Sequence, residues 1–306
     1  MSLTFAGDLI HAHGHRRLHS IMTLPTSGNA MRAVTLPSGE QIPCLGQGTW
    51  MMGERRDRRD GEIAALRAGI ELGMTLIDTA EMYGEGASET LVGEAIAGRR
   101  DEVFLVSKAY PRNASLARLP HSCEASLERL GTDRLDLYLL HWRGTVSLAE
   151  TVEAMQSLQQ AGKIRHWGVS NLDINDMQEL LRAGGSRCVT DQILYNLARR
   201  GPEYDLLPWL SDYGMLVMAY SPVEQGRLLD NRKLIALASN AGVSPAQLAL
   251  AWTLRQPGLI AIPKASTVKH VLDNRAAADL TLGAEILAQL DEVFVPPREP
   301  RPLEML

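Results

Sequence analysis

Along residues 45–262, short apolar runs alternate with stretches whose apolar positions recur every three or four residues. That alternation predicts buried strands separated by amphipathic helices. Eight runs read as strands: residues 45–50, 74–77, 103–107, 135–140, 164–169, 188–192, 216–220 and 259–262. Between them, Ile63, Leu66 and Ile70 mark one helical face, and Leu91, Val92, Ala95 and Ile96 the next. Further faces follow at Leu127 and Leu130, at Leu148, Val152, Met155 and Leu158, and at Ile174, Met177, Leu180 and Leu181. Gly131 reads as a helix stop, Ser147 with Glu150 as a capping box, and Ser244-Pro245 as a cap followed by proline in the first turn. Before the first strand, residues 33–36 and 41–44 predict a hairpin around Pro37-Ser38-Gly39-Glu40. After the last, residues 283–294 predict an extra C-terminal helix and residues 296–306 a proline-rich tail.

Eight strands alternating with helices imply an α/β fold with a parallel sheet. In 306 residues that count favours a closed (β/α)8 TIM barrel over an open doubly wound sheet. Residues 31–306 read as a single barrel domain and residues 1–30 as a flexible leader. No Gly-x-Gly-x-x-Gly follows an early strand, so the usual dinucleotide fingerprint is missing.

Composition narrows the partners. An apolar content of 45% supports a substantial core, and a net charge of -5 argues against nucleic acid. Three separated cysteines without CxxC spacing fit a reducing compartment, and no apolar run is long enough to span a bilayer. A cytoplasmic protein acting on a small molecule, with no membrane partner and a monomeric state, is the expectation. His11, His13, His15 and His19 in the leader would suggest a barrel metallohydrolase if they closed a first strand. They precede any convincing strand, and no metal is expected.

In a barrel, the carboxyl ends of the strands converge on one rim. Asp78 ends the second strand and Tyr83 lies in the Gly84/Gly86 loop after it; Lys108 ends the third strand and His141 the fourth. Singly, these read as a turn-forming acid, a packing tyrosine, a surface lysine and a core histidine. Together, on three successive strands, they make an acid, phenol, amine and imidazole cluster suited to proton transfer onto a carbonyl oxygen. An ammonium beside the phenol is expected to lower its pKa, and the carboxylate to hold the ammonium. Farther round the rim, Ser170, Asn171 and Gln192 offer hydroxyl and amide groups for a carboxamide. Tyr220 can stack on a flat ring, and Pro263, Lys264, Ala265, Ser266 and Thr267 lead into a helix placed to gather a phosphate.

Four segments carry a family resemblance: residues 77–93 (Ile-Asp-Thr-Ala-Glu-Met-Tyr-Gly-Glu-Gly-Ala-Ser-Glu-Thr-Leu-Val-Gly), 130–142, 162–171 and 262–266. From Arg32 onward the chain resembles the aldo-keto reductases. The resemblance implies a barrel whose amino-terminal hairpin closes the bottom, and hydride transfer between a nicotinamide dinucleotide and a small aldehyde or ketone. It casts Asp78, Tyr83, Lys108 and His141 as the catalytic set, with Tyr83 as general acid. On the cofactor it places Asp78, Ser170, Asn171, Gln192 and Tyr220, with Gly48, Thr49 and Trp50 at the first strand. Ser221, Pro222, Gly226 and Leu228 belong to the same cleft, as do Ile262, Pro263, Lys264, Ala265, Ser266, His270 and Asn274. His270 stands where many members carry an arginine for the 2′-phosphate, so NADPH is expected with NADH possible. Trp50, Tyr83, Tyr110, His141 and Trp142 are expected to line an apolar substrate mouth, with Arg143 able to meet a negative substrate. The competing class is a cofactor-binding regulatory subunit of the same fold with little turnover.

Overall fold

The computed structural model describes residues 30–306 and the backbone of Met22–Thr23. Eight parallel strands form one sheet: β1 (Gln47–Gly48), β2 (Leu76–Asp78), β3 (Phe104–Ala109), β4 (Leu135–Leu140), β5 (Ile164–Ser170), β6 (Thr190–Leu194), β7 (Leu216–Tyr220) and β8 (Leu259–Ala261). Their spatial order follows the chain. The first strand returns to the last: Gly46 N donates to Ala261 O at 2.8 Å, Ala261 N to Cys44 O at 2.9 Å, and Gly48 N to Pro263 O at 3.1 Å. With parallel bridges at Leu45–Ala261 and Gly48–Lys264, the sheet has no free edge.

Helices α1 (Arg59–Glu71), α2 (Ala87–Ala95), α3 (Leu119–Leu130), α4 (Leu148–Gln160), α5 (Ile174–Arg182) and α6 (Leu206–Asp212) surround it. They are joined by α7 (Arg232–Ala241), α8 (Pro245–Thr253), α9 (Val268–Ala277) and the extra helix α10 (Ala284–Val293). Apolar side chains of helices and outer strand faces, such as Leu91, Leu127, Met155, Trp167 and Leu248, make the main core. A second cluster fills the barrel interior, where hairpin residues Leu36 and Ile42 pack on Leu76, Phe104, Leu137, Val189 and Leu216. The hairpin, Ala33–Thr35 with Gln41–Pro43, therefore plugs the end opposite the strand C-termini.

The capping expectations divide. Ser244 and Gln247 form a complete box at α8. At α4 only half exists: Ser147 accepts from Glu150 N, but the Glu150 carboxylate takes Leu116 N at 3.1 Å instead. Met22–Thr23 pairs antiparallel with Thr281–Leu282. The leader histidines lie outside the described residues, and among the described residues no single helix is long and apolar enough to cross a membrane.

Candidate active site

β2 and β3 are buried throughout, so a charged side chain at either end must find a partner within the protein. Lys108 is fully buried, and all three donors of its ammonium are engaged. They reach Asp78 Oδ2 at 2.7 Å, the Thr79 carbonyl at 2.9 Å and the Tyr83 hydroxyl oxygen at 3.1 Å. The other carboxylate oxygen of Asp78 accepts from Gln192 Nε2 at 2.8 Å. The structure thus draws Gln192, assigned from its rim position to a carboxamide, into the hydrogen-bond chain that fixes the lysine.

Tyr83 reaches this position through a tight turn. Gly84, Glu85 and Gly86 all have positive φ, at 55°, 53° and 92°, a run that glycine at two of three positions makes affordable in conformational terms. Glu81 anchors the same segment: it accepts from Tyr110 N at 2.6 Å, Asn113 Nδ2 at 2.9 Å and Ser122 Oγ at 2.6 Å. Below the turn, Ser88 donates to Thr49 Oγ1 at 2.8 Å, and Thr49 donates to the Asp78 carbonyl at 2.9 Å. Sequence reasoning gave Glu81 and Ser88 no role. Their one signal was position, inside the motif that holds Asp78 and Tyr83.

Electrostatics correct one expectation and sharpen another. Burial raises the Tyr83 pKa more than the Lys108 ammonium lowers it, so the phenol is held above its usual value and stays protonated. Burial also works against the Lys108 charge, but Asp78 and Tyr83 outweigh it and the amine is raised. His141, whose ring lies 5.8 Å from that of Tyr83, is pushed down to about 2 by burial and then by the Lys108 ammonium. Its imidazole is neutral. Because His141 Nδ1 is buried without a partner among the described residues, and an unmet lone pair costs less than an unmet N–H, we assign the ring proton to Nε2. The side chain can donate a hydrogen bond and does not carry the transferable proton.

A pH signature follows. Below the ordinary histidine value of 6.5 the unfolded chain takes up a proton that folded His141 refuses, so this group's contribution is complete above pH 6.5. It is lost as pH falls towards 2, at about 1.4 kcal/mol per pH unit. Denaturant unfolding should show the stability difference between wild type and His141→Asn shifting by that slope below pH 6.5. A difference independent of pH between 4 and 7 would contradict the neutral assignment.

Along the rim, the β5–β6 register sets Ser170 beside Gln192. Ser170 Oγ donates to the Gln192 carbonyl at 2.7 Å and accepts from Asn171 Nδ2 at 3.0 Å. Asn171, at φ 59°, also donates to the His141 carbonyl at 3.2 Å and accepts from the Tyr220 hydroxyl at 2.9 Å. Histidine, amide and second tyrosine are therefore one connected wall. Gly48 and Thr49 are buried at the end of β1, while Trp50 is exposed. Tyr110 and Trp142 meet edge to face at 5.8 Å, and Trp142 lies 4.9 Å from His141. Arg143 is paired with Glu179 at 2.9 Å and Asp176 at 3.8 Å, so its charge is compensated and it is not the free cation expected of it.

Past β8, Ile262, Pro263 and Ala265 are buried, whereas Lys264 is exposed with no acidic partner among the described residues. Thr267 caps α9 by accepting from His270 N at 3.3 Å, and Asn274 is buried on the same helix. Ser221, Pro222, Gly226 and Leu228 lie in the loop that leaves β7.

Comparison with known proteins bears on the family and the overall fold. The model of the aldo/keto reductase family matches residues 44–294. Methylglyoxal reductase YeaE of Escherichia coli is 53% identical over 271 residues, covering 87% of this chain and 95% of its own. Glyoxal reductase of Bacillus subtilis is 32% identical and covers 92% of this chain and all of its own. The crystal structure of an aldo-keto reductase from Klebsiella pneumoniae in complex with NADPH is 52% identical, with a TM-score of 0.88 over 91% of this chain and 100% of that one. The family match, these identities and the shared barrel show that the chain belongs to the aldo/keto reductase family.

Proposed function

We propose that the protein is an NADPH-dependent reductase of small aldehydes and ketones, with 2-oxoaldehydes such as methylglyoxal as its substrate class and Tyr83 as the general acid. The observation that carries the reading is the direction of the hydrogen bonds around Lys108. Since the ammonium donates to the Tyr83 oxygen, the phenol's own hydrogen remains available to a second acceptor. A substrate carbonyl is such an acceptor.

The residues present fit a dinucleotide. Ser170, Asn171 and Tyr220 form a preassembled wall of amide and hydroxyl groups, and exposed Lys264 at the entrance to α9, with no acidic partner among the described residues, supplies a cation for phosphate. When bound, the nicotinamide supplies the hydride. Neutral His141 orients the carbonyl through its Nε2 hydrogen. As negative charge grows on the carbonyl oxygen, Tyr83 gives up its proton, and the phenolate left behind faces the Lys108 ammonium. Asp78 and Gln192 keep that ammonium in place. With Arg143 compensated and aromatic rings at the mouth, neutral carbonyls suit the site better than acids. The E. coli and B. subtilis relatives named for methylglyoxal and glyoxal support the same class.

Fluorescence titration with NADPH and NADH, followed by an aldehyde panel, tests this reading. NADPH should bind more tightly through Lys264, by a modest margin because His270 replaces a permanent cation. Methylglyoxal should then be reduced. Tight NADPH binding with no oxidation by any aldehyde would instead identify a regulatory subunit.

A further inference from the structure

The loop leaving β7 is held in an unusual backbone conformation. Ser221, Glu224 and Gln225 have φ of 48°, 53° and 55°, and Gly226 has 93°. Non-glycine residues in the left-handed region persist only where the surroundings impose it. Here the restraint is a buried acid. Glu224, 4% exposed, accepts from Asn196 Nδ2 at 2.7 Å, from Arg199 Nε and Nη2 at 3.1 and 2.9 Å, and from Arg227 Nη2 at 3.0 Å. Asn196 Nδ2 also reaches the Ser221 carbonyl at 2.9 Å, so both limbs of the loop close on one polar knot. These bonds hold the Glu224 carboxyl below its usual value despite burial.

Arg199 does not stop at the loop. Its remaining nitrogen, Nη1, donates to Glu304 Oε1 at 2.5 Å, in the chain's C-terminal tail. On one side of that contact Leu303 packs against the main core. On the other, burial raises the Tyr220 pKa and the Leu306 backbone lies near enough to the hydroxyl to draw it partly back. The tail is thus fixed next to the tyrosine assigned to the nicotinamide, by the same guanidinium that fixes the loop carrying Ser221, Pro222, Gly226 and Leu228.

We infer that Arg199 is a positioning residue for the bound dinucleotide: by gripping Glu224 and Glu304 together it makes the C-terminal tail a latch on the loop after β7, and so slows cofactor release. This inference rests on the NADPH reading above. Opening the loop to release a dinucleotide requires Glu224 to leave its knot, and the tail opposes this by holding the arginine from behind. Glu304 is half exposed, so its share is that of a surface ion pair, whereas Arg199 satisfies a buried acid and its loss acts mainly on the dissociation rate.

The test is stopped-flow release of NADPH, chased with excess NADP⁺, from the full chain. Glu304→Gln should release NADPH roughly two- to fivefold faster with an unchanged unfolding temperature. Arg199→Met should release it more than about tenfold faster. Combining the two should give no further acceleration over Arg199→Met, since both act through one contact. NADPH bound by wild type but released at the same rate from Glu304→Gln would overturn the latch alone. Failure of wild type to bind NADPH would overturn both the latch and the functional reading.

Discussion

Tyr83→Phe is expected to lower kcat/KM for methylglyoxal by about 10²–10⁴-fold while leaving NADPH affinity unchanged. The substitution removes one hydroxyl and keeps the ring, so the edge-to-face contact with His141 is retained. What disappears is the only group in the cluster that combines a transferable proton with a neighbouring cation to receive the resulting charge. Lys108 has its three donors committed, His141 is neutral with a strongly depressed pKa, and Asp78 accepts at both oxygens. None of them can take over as acid. Steady-state kinetics with a fluorescence titration separates the two effects, and an equal loss of affinity would mean that Tyr83 acts in binding.

Lys108→Met should cost both activity and stability. The pair it belongs to is fully desolvated, and removing one member of a buried pair leaves the other charge uncompensated, a loss of about 3–5 kcal/mol. Asp78 would keep only its bond from Gln192, and the Thr79 carbonyl and Tyr83 oxygen would lose their donor. The expected readouts are a denaturation midpoint shifted to lower urea and turnover at least as low as that of Tyr83→Phe. Lys108→Met, Asp78→Asn should recover part of the stability and none of the turnover, because the stranded charge is gone while the phenol still lacks its cation. Native stability in the single variant would show that the ammonium is not held as described.

Much of this was legible in the chain because periodicity and capping are local. The strand and helix alternation, the Gly131 stop with φ 63°, and the Ser244 cap all depend on residues a few positions apart. Boundaries slipped where apolar character outruns pairing. β6 was expected at 188–192 but runs Thr190–Leu194, since Cys188 N is taken by a turn to Gly185 O. Helix α7 was not anticipated, although its Asn231 cap and Gly242 stop are both present in the sequence. Its apolar face is thin, with Leu234 and Ala238 as its buried residues, and it follows a loop without regular period.

The site divides along the same line. Asp78, Tyr83, Lys108 and His141 could be proposed together because strand ends converge on one rim, a consequence of topology. The bond from Gln192 to Asp78 joins residues 114 positions apart and has no local trace. Nor could the directions of the pKa shifts be read from residue types, since for Tyr83 the ammonium and burial pull opposite ways and burial, a property of the folded chain, prevails. Arg143 shows the converse: a basic residue at the rim invites an anion until Glu179 and Asp176 are seen beside it.

A single-turnover measurement of NADPH oxidation, with enzyme in excess and methylglyoxal saturating, isolates the hydride-transfer step from cofactor release. Comparing wild type with Tyr83→Phe in that assay tests whether a lysine-held phenol supplies the proton. The account predicts a fall of about 10²–10⁴-fold in the rate of that step, with NADPH still bound. Oxidation of NADPH by Tyr83→Phe at the wild-type single-turnover rate would contradict it.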